Sequence, residues 1–168
     1  MPASVKAVAN EFLDLADDER KRVDPLQMQK LVYLAQGWSL GLTGGRLFSE
    51  SIEAWQHGPV VPDLYHSLKT FGSLPIKGRL KAWDEARRRL SNASYDFDRT
   101  DGRIIRNIWE KYGSWSGPQL IQLTHEPGGP WDVTRKKFPG EIDARIDRSL
   151  MEKWFEKEAE KASQANDF

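Results

Sequence analysis

Residues 26–65 read LQMQKLVYLAQGWSLGLTGGRLFSESIEAWQHGPVVPDLY and contain the clearest structural signals in the chain. Just before this stretch, Asp24 and Pro25 are typical of a helix cap and a first helical residue, and Gln27 completes a capping box. The glycine pair Gly44–Gly45 is expected to end the helix. An apolar stripe at helical spacing contains Leu31, Leu34, Ala35, Trp38 and Leu42. This pattern predicts a helix near the centre of the fold.

The second half of the stretch changes character after the glycines. Between Arg46 and Trp55 the apolar residues lose their helical period, which predicts a small hairpin or an irregular strand pair. Pro59 and Pro62 then fix two backbone angles around the β-branched pair Val60–Val61. Such a loop holds a defined shape without a nucleophile or a metal ligand set. We therefore interpret residues 55–65 as a recognition surface.

Capping residues and apolar spacing predict further helices along the chain. These run from Ser4 through Leu15, Pro62 through Leu68, Leu80 through Leu90, Thr100 or Asp101 through Tyr112, Gln119 through Thr124, and Asp147 through Ala159. The segment 125–131 is predicted to be a loop, and the polar end, 158–168, is expected to fray. The fold class is therefore mainly α: a compact multi-helix single domain over residues 1–165, with a small β-hairpin or short sheet.

Composition excludes several classes of protein. A chain of 168 residues is expected to form one domain, and 25 basic residues balance 25 acidic ones, so no net positive field favours nucleic acid. The absence of cysteine excludes disulfides, thiol catalysis and thiolate metal sites, and it fits a cytoplasmic protein. No signal peptide and no apolar run of about 20 residues is present, so neither secretion nor contact with a membrane is expected.

Motifs for catalysis, metals and cofactors are incomplete. The histidines His57, His66 and His125 are dispersed, and Pro127 breaks the helix that a zinc-protease motif would need after His125–Glu126. The segment Gly113–Gly117 places tryptophan where a nucleophile elbow requires serine. The glycine spacings do not match a nucleotide-binding loop. We predict no catalytic, metal-binding or cofactor-binding residue and no cofactor, and the alternative is a hydrolase that uses His57 or His125 with a nearby carboxylate.

Two groups of surface residues allow more than one interpretation. Trp55, Trp115 and Trp131 stand beside loop glycines and prolines, where an aromatic ring either pins the loop or reaches a partner. The run Arg87–Arg89 either forms a solvated helix face or meets a phosphate or an acidic partner. A nucleic-acid regulator built on these arginines would show a steep salt dependence of DNA binding.

Several motifs taken together resemble the Panacea-domain family, also called SocA-like or GepA-like, of bacterial toxin–antitoxin pairs and prophages. The matching residues are Lys30–Trp38, Leu47–Phe48, Ile52–Trp55, His57–Pro62 with Leu64–Tyr65, and Leu123–Glu126 followed by Pro130–Trp131. They cover most of the chain. The resemblance implies a mainly helical domain with a small β element, which agrees with the pattern described above.

The resemblance also implies a function in protein binding. Members of this family look like cytoplasmic antitoxins that neutralise a cognate toxin by direct protein contact. Some resemble adaptors that deliver the toxin to an ATP-dependent protease, and the sequence leaves that alternative open, as it does a homo-oligomer. The residues before Lys30 are too few for a DNA-binding module, so direct nucleic-acid binding is not expected.

The loops 55–65 and 125–131 are the expected contact regions for such a partner. Both are stiffened by proline and both carry aromatic residues, which often dominate the binding energy of protein interfaces. The candidate partner-binding residues are Trp55, His57, Pro59, Val60, Val61, Pro62, Tyr65, His125 and Trp131.

Overall fold

The computed structural model describes residues 2–165, which contain seven α-helices and four short strands. The helices are α1 (Val5–Asp18), α2 (Pro25–Thr43), α3 (Pro62–Leu68), α4 (Arg99–Tyr112), α5 (Gly117–Thr124), α6 (Pro130–Lys137) and α7 (Arg148–Gln164). The strands β1 (Glu53–Trp55) and β2 (Gly58–Val60) form one antiparallel hairpin, and β3 (Lys81–Asp84) and β4 (Arg89–Asn92) form another. The prediction of a mainly α domain with a small β element is confirmed.

Helix α2 lies at the centre of the domain. Its predicted capping box is present, because the Asp24 carboxylate accepts the Gln27 N–H at 2.8 Å and the Gln27 side chain accepts the Asp24 N–H at 2.9 Å. Gly44 ends the helix in the left-handed conformation, at φ 72°. All residues from 28 to 40 are buried, so other elements cover the helix on every side. Leu42 is 46% exposed, so the prediction that it belongs to the buried stripe was wrong. The reason is that α7 packs against the side of the last turn that carries the neighbouring Gly41.

Two glycines of α2 let α7 pack closely against it. A Cβ atom placed on Gly37 would lie 2.2 Å from the Phe155 ring, and one on Gly41 would lie 2.5 Å from the Phe155 backbone carbonyl carbon. The Phe155 ring meets Tyr33 and Trp38 edge-on, with ring centroids 5.8 Å apart in both pairs. The contact between α2 and α7 therefore depends on the missing side chains of Gly37 and Gly41.

Buried amide side chains on the helices bind the backbone of extended segments. Asn10 of α1 donates to the carbonyls of Leu80 and Ala93 and accepts the Leu80 N–H. Gln36 of α2 binds the backbone of Leu47–Phe48 in the same way, through one carbonyl and two N–H groups. These bonds satisfy buried backbone groups that lie outside any sheet. Single side chains thus fix segments that form almost no secondary structure of their own.

The predicted helix over Leu80–Leu90 was wrong, because this segment forms the β3–β4 hairpin. The Asp84 carboxylate accepts the Arg87 N–H at 3.1 Å, and Arg88 adopts a left-handed φ of 50°, so the basic run forms a turn. Asn10 binds the backbone just before β3, at Leu80, and just after β4, at Ala93. These tertiary contacts override a local composition that favours a helix.

Other helix boundaries follow the predicted caps with a few differences. Ser4 and Asp147 each accept a backbone N–H of the helix they begin, as predicted, and Ser116 does the same at the start of α5. Helix α4 begins after Asp98, which accepts the Asp101 N–H at 2.8 Å, so the predicted caps Thr100 and Asp101 lie inside the helix.

The two C-terminal helices extend beyond the predicted elements. Helix α6 begins at Pro130, which lies inside the predicted 125–131 loop, and continues beyond that loop to Lys137. Proline suits the first turn of a helix. Helix α7 continues past Ala159 to Gln164, so much of the segment 158–168, which was expected to fray, is helical. Residues 166–168 of that segment lie outside the described part of the chain. Between residues 2 and 165, no helix combines the length and the apolar character that crossing a lipid bilayer requires.

Candidate functional site

The β1–β2 hairpin forms the base of the candidate site. Its strands are Glu53–Trp55 and Gly58–Val60, so the hairpin lies further along the chain than the predicted 46–55 pair. The earlier part of that segment is instead held by Gln36, as described above. Pro59 lies opposite Ala54 and has no N–H, and the Ala54 N–H bonds outward to the Ala144 carbonyl at 2.8 Å. The Pro59 carbonyl is therefore free to accept a donor from outside the hairpin.

Helix α2 supplies that donor and a second contact. The Lys30 ammonium donates to the Pro59 carbonyl at 3.1 Å. The Gln29 amide accepts the Val61 N–H at 2.8 Å and donates to the Val61 carbonyl at 3.2 Å. Gly58 has a φ of 107°, which residues with a side chain rarely adopt, and a Cβ atom there would also lie 2.8 Å from the Lys30 Cε atom, so glycine is favoured where the hairpin crosses this side chain. The hairpin is thereby fixed on α2.

An aromatic surface joins the two predicted contact regions. The rings of Trp55 and Tyr65 meet edge-on, with centroids 4.9 Å apart. The Trp131 indole N–H donates to the Trp55 carbonyl at 2.6 Å. The His125 ring stacks on Trp131, with centroids 3.6 Å apart and planes 4° from parallel. We call Trp55, Tyr65, His125 and Trp131 the aromatic surface.

The predicted partner-binding residues differ in their exposure. His57 is exposed and Tyr65 is 42% exposed, whereas Trp55, Pro62, His125 and Trp131 are half-buried. The side chains of Pro59, Val60 and Val61 are buried and build the hairpin. His57 and the aromatic surface can therefore meet a partner without rearrangement of the core, and their role in binding stays a prediction.

An apolar cavity of about 430 Å³ adjoins the aromatic surface. It lies between α2, the β1–β2 hairpin and α3. Its wall includes Leu26, Lys30, Trp55, Val60, Tyr65 and Leu68. Cavities of this size and character are typical of binding sites for small ligands or inserted side chains.

Burial shifts the ionisation of two basic groups at the site. Lys30 has no exposed surface, and burial lowers its pKa from 10.5 to about 7. The pKa of His125 is lowered by burial first, then by the charges of Lys30, His57 and Arg135. Its Nε2 atom is buried and has no hydrogen-bond partner among the described residues. Positive charge is thus costly here unless an anion accompanies it.

The arrangement lacks the contacts that hydrolysis or metal binding would use. Within residues 2–165, no group of three or more histidine, cysteine or acidic side chains is placed to hold a metal ion. In the same range, neither His57 nor His125 is hydrogen-bonded to a carboxylate, the contact that orients a general base. The geometry is that of a surface with a neighbouring cavity.

Some structurally important residues carried little signal in the sequence. Gln29 and Lys30 are polar residues inside an apolar helix, and that anomaly was the available clue to their contacts with the hairpin. Trp83 and Leu90 pair across β3–β4 and are 56% and 66% exposed. Nothing in the sequence indicated this pair, because the segment was predicted to be a helix.

We expect Gln29→Met to lower the free energy of unfolding by about 2–4 kcal/mol, because it leaves the buried N–H and carbonyl of Val61 unpaired. Urea unfolding at constant pH measures the change. Gln122→Met is the matched control, since Gln122 is exposed, and it should shift stability by less than about 0.5 kcal/mol. Equal stability of the two variants would show that the Val61 bonds do not contribute.

Comparison with known proteins places the chain in a family. The family model described as "Antitoxin SocA-like, Panacea domain" matches residues 28–132, which include most of α2, the β1–β2 hairpin and the aromatic surface. The chain is 35% identical over 136 residues to Antitoxin SocA of Caulobacter vibrioides (strain NA1000 / CB15N), covering 79% of this chain and 71% of that protein. No solved structure matches. The protein therefore belongs to the SocA-like antitoxin family that is defined by the Panacea domain.

Proposed function

We propose that this protein neutralises a cognate toxin by direct binding through His57 and the aromatic surface. Membership of an antitoxin family carries the proposal, because it supports an antitoxin role and suggests a role without catalysis. The toxin is expected to be the product of a neighbouring gene.

The chemistry of the surface supports protein recognition. Tyrosine and tryptophan supply large apolar contact areas together with a polar group, and they dominate the binding energy of many interfaces. At this site Trp55 and Tyr65 contact each other, and Trp131 is held in place by its bond to the hairpin backbone. Such anchored rings lose little side-chain entropy when a partner binds.

Co-expression with the neighbouring gene tests the proposal. We expect growth to be restored and the two proteins to copurify as a stable complex. Restored growth with a shortened toxin half-life and no lasting complex would contradict neutralisation by binding and favour delivery to a protease. An unchanged toxic phenotype and no copurification would contradict the antitoxin assignment for that gene pair.

Alanine substitution tests the location of the surface. We expect Tyr65→Ala to weaken toxin binding at least about tenfold, because the substitution removes an exposed ring at the centre of the proposed contact. Trp83→Ala is the control, since Trp83 is an even more exposed ring on the other hairpin, and it should leave the affinity within about twofold. Titration calorimetry measures both, with circular dichroism as the check on folding. The reverse order of effects would place the contact on β3–β4.

A further inference from the structure

Lys30 is a buried basic group with no acidic partner among the described residues. Its side chain has no exposed surface, and it forms no ion pair with any residue between 2 and 165. The one acceptor that the described residues offer it is the Pro59 carbonyl. A lysine ammonium has three N–H donors, so two remain for another acceptor. A buried ammonium left in this state costs folding free energy that a carboxylate would recover.

The ionisable side chains that line the cavity next to Lys30 are all of basic residues. Besides Lys30, its lining contains Lys69 and His57, and no aspartate or glutamate stands among the lining residues, all of which lie in the described part of the chain. The remaining wall is mainly apolar and aromatic, with Trp55 and Tyr65 at the side of the aromatic surface. The cavity thus suits an occupant that is apolar and carries one negative charge.

We propose that this cavity receives an acidic residue of the toxin together with an adjacent apolar side chain, and that the carboxylate pairs with Lys30. This inference rests on the proposed function. The basic residues in the lining favour a carboxylate as the bound group. Because the cavity is continuous with the aromatic surface, a protein partner is the favoured source of that carboxylate. A volume of about 430 Å³ accommodates a short inserted segment.

The reach of Lys30 fits this role. Beyond its bond to the Pro59 carbonyl, the ammonium keeps two N–H donors, and the flexible four-carbon stem of lysine lets them turn toward the cavity. A carboxylate in this apolar setting attracts the ammonium strongly, since few water molecules screen the charges. The groups that face or adjoin Lys30 are His57 on the hairpin turn, Lys69 after α3 and His125 after α5, and Arg135 lies beyond His125. The acidic group on this side is Asp132, which acts on His125 and whose carboxylate is bound to the Gly128 N–H and to Lys136. It does not line the cavity, so no acidic side chain of the lining competes with the incoming carboxylate.

Proton uptake gives this pairing a specific signature. Above pH 7 the free protein holds Lys30 largely neutral, so binding a carboxylate must return a proton to it. We expect the toxin affinity of the wild-type protein to fall about tenfold between pH 8 and 9, with uptake of about one proton. Titration calorimetry in buffers of different ionisation enthalpy measures both quantities.

Two lysine variants separate Lys30 from the other basic groups. We expect Lys30→Met to bind the toxin at least about tenfold more weakly at pH 7 and to lose the proton uptake. Lys77→Met is the control, because Lys77 is exposed and does not line the cavity, and it should retain both properties of the wild type. Identical toxin binding by Lys30→Met and the wild type would overturn the inference while leaving the proposed function intact.

A toxin-free measurement on the wild-type protein tests the cavity by itself. Phenylacetate supplies the expected carboxylate and apolar group, and phenylacetamide is its neutral counterpart. We expect phenylacetate, and not phenylacetamide, to shift the NMR signals of the Lys30 side chain and the Trp55 indole. Failure of both to bind would overturn the anion site. Binding of phenylacetate without competition against a bound toxin would overturn the toxin as occupant, and absence of any toxin complex would instead defeat the proposed function.

Discussion

We expect Gly41→Ala to lower the free energy of unfolding by about 3 kcal/mol and to loosen α7 from α2. The new methyl group would lie 2.5 Å from the Phe155 carbonyl carbon and 2.8 Å from the Glu156 nitrogen. Both are backbone atoms, so no side chain can rotate away to make room. Helix α7 must move as a unit, and the edge contacts of Phe155 with Tyr33 and Trp38 are lost with it.

Gly102→Ala is the matched control for this substitution. Gly102 also lies within a helix, but a Cβ atom there meets no atom within 4 Å. Alanine favours the helix over glycine, so this variant should gain up to about 1 kcal/mol. Urea unfolding compares the two variants, and hydrogen exchange of α7 amides locates the effect. If Gly41→Ala were as stable as Gly102→Ala, the glycine contact would not control the α2–α7 packing.

We expect raising the pH from 7 to 9.5 to increase the free energy of unfolding by about 3 kcal/mol, because the pKa of Lys30 is lowered by burial from its ordinary 10.5 to about 7. In that window the unfolded chain binds the proton that the folded protein has released. Stability therefore rises with pH, and below pH 7 the full cost of burying the ammonium is present. The lowered pKa of His125 acts in the same direction at more acidic pH.

Few other groups disturb this window. The chain has no cysteine, and histidines ordinarily titrate below it while tyrosines and lysines titrate above it. Lys30→Met should remove most of the slope, because methionine has no proton to lose. Urea unfolding at several pH values from 7 to 9.5 measures the slope for both proteins. A slope retained in Lys30→Met would assign the pH dependence to another group.

Local signals in the sequence predicted the helix ends well. The Asp24–Gln27 capping box and the Ser4 cap form between residues three apart, so neighbouring residues contain the whole interaction. The helix prediction for residues 80–90 failed for the opposite reason. Its hairpin depends on Asn10, which binds Leu80 across 70 residues of sequence and Ala93 across 83. No local pattern can show such a contact.

At the candidate site, too, local features could be predicted from the sequence and contacts between distant residues could not. The proline-stiffened segments 55–65 and 125–131 stood out in the sequence, but their adjacency depends on the Trp131 bond to the Trp55 carbonyl, across 76 residues. Lys30 belonged to a motif of the family resemblance, yet a charged residue is ordinarily solvated. Its burial follows from the complete covering of α2, which only the assembled fold reveals.

The bonds from Lys30 and Gln29 to the hairpin also bear on how an antitoxin and its toxin can change together. Pro59 and Val61 are held by α2 before any partner arrives, so the hairpin cannot shift to follow an altered toxin surface. Under direct binding, a toxin substitution that reshapes the contact would persist only with a compensating substitution on this chain. The tolerant positions for such compensation are the exposed side chains His57 and Tyr65, because a change at the buried Gln29 removes the bonds that hold Val61 and lowers stability.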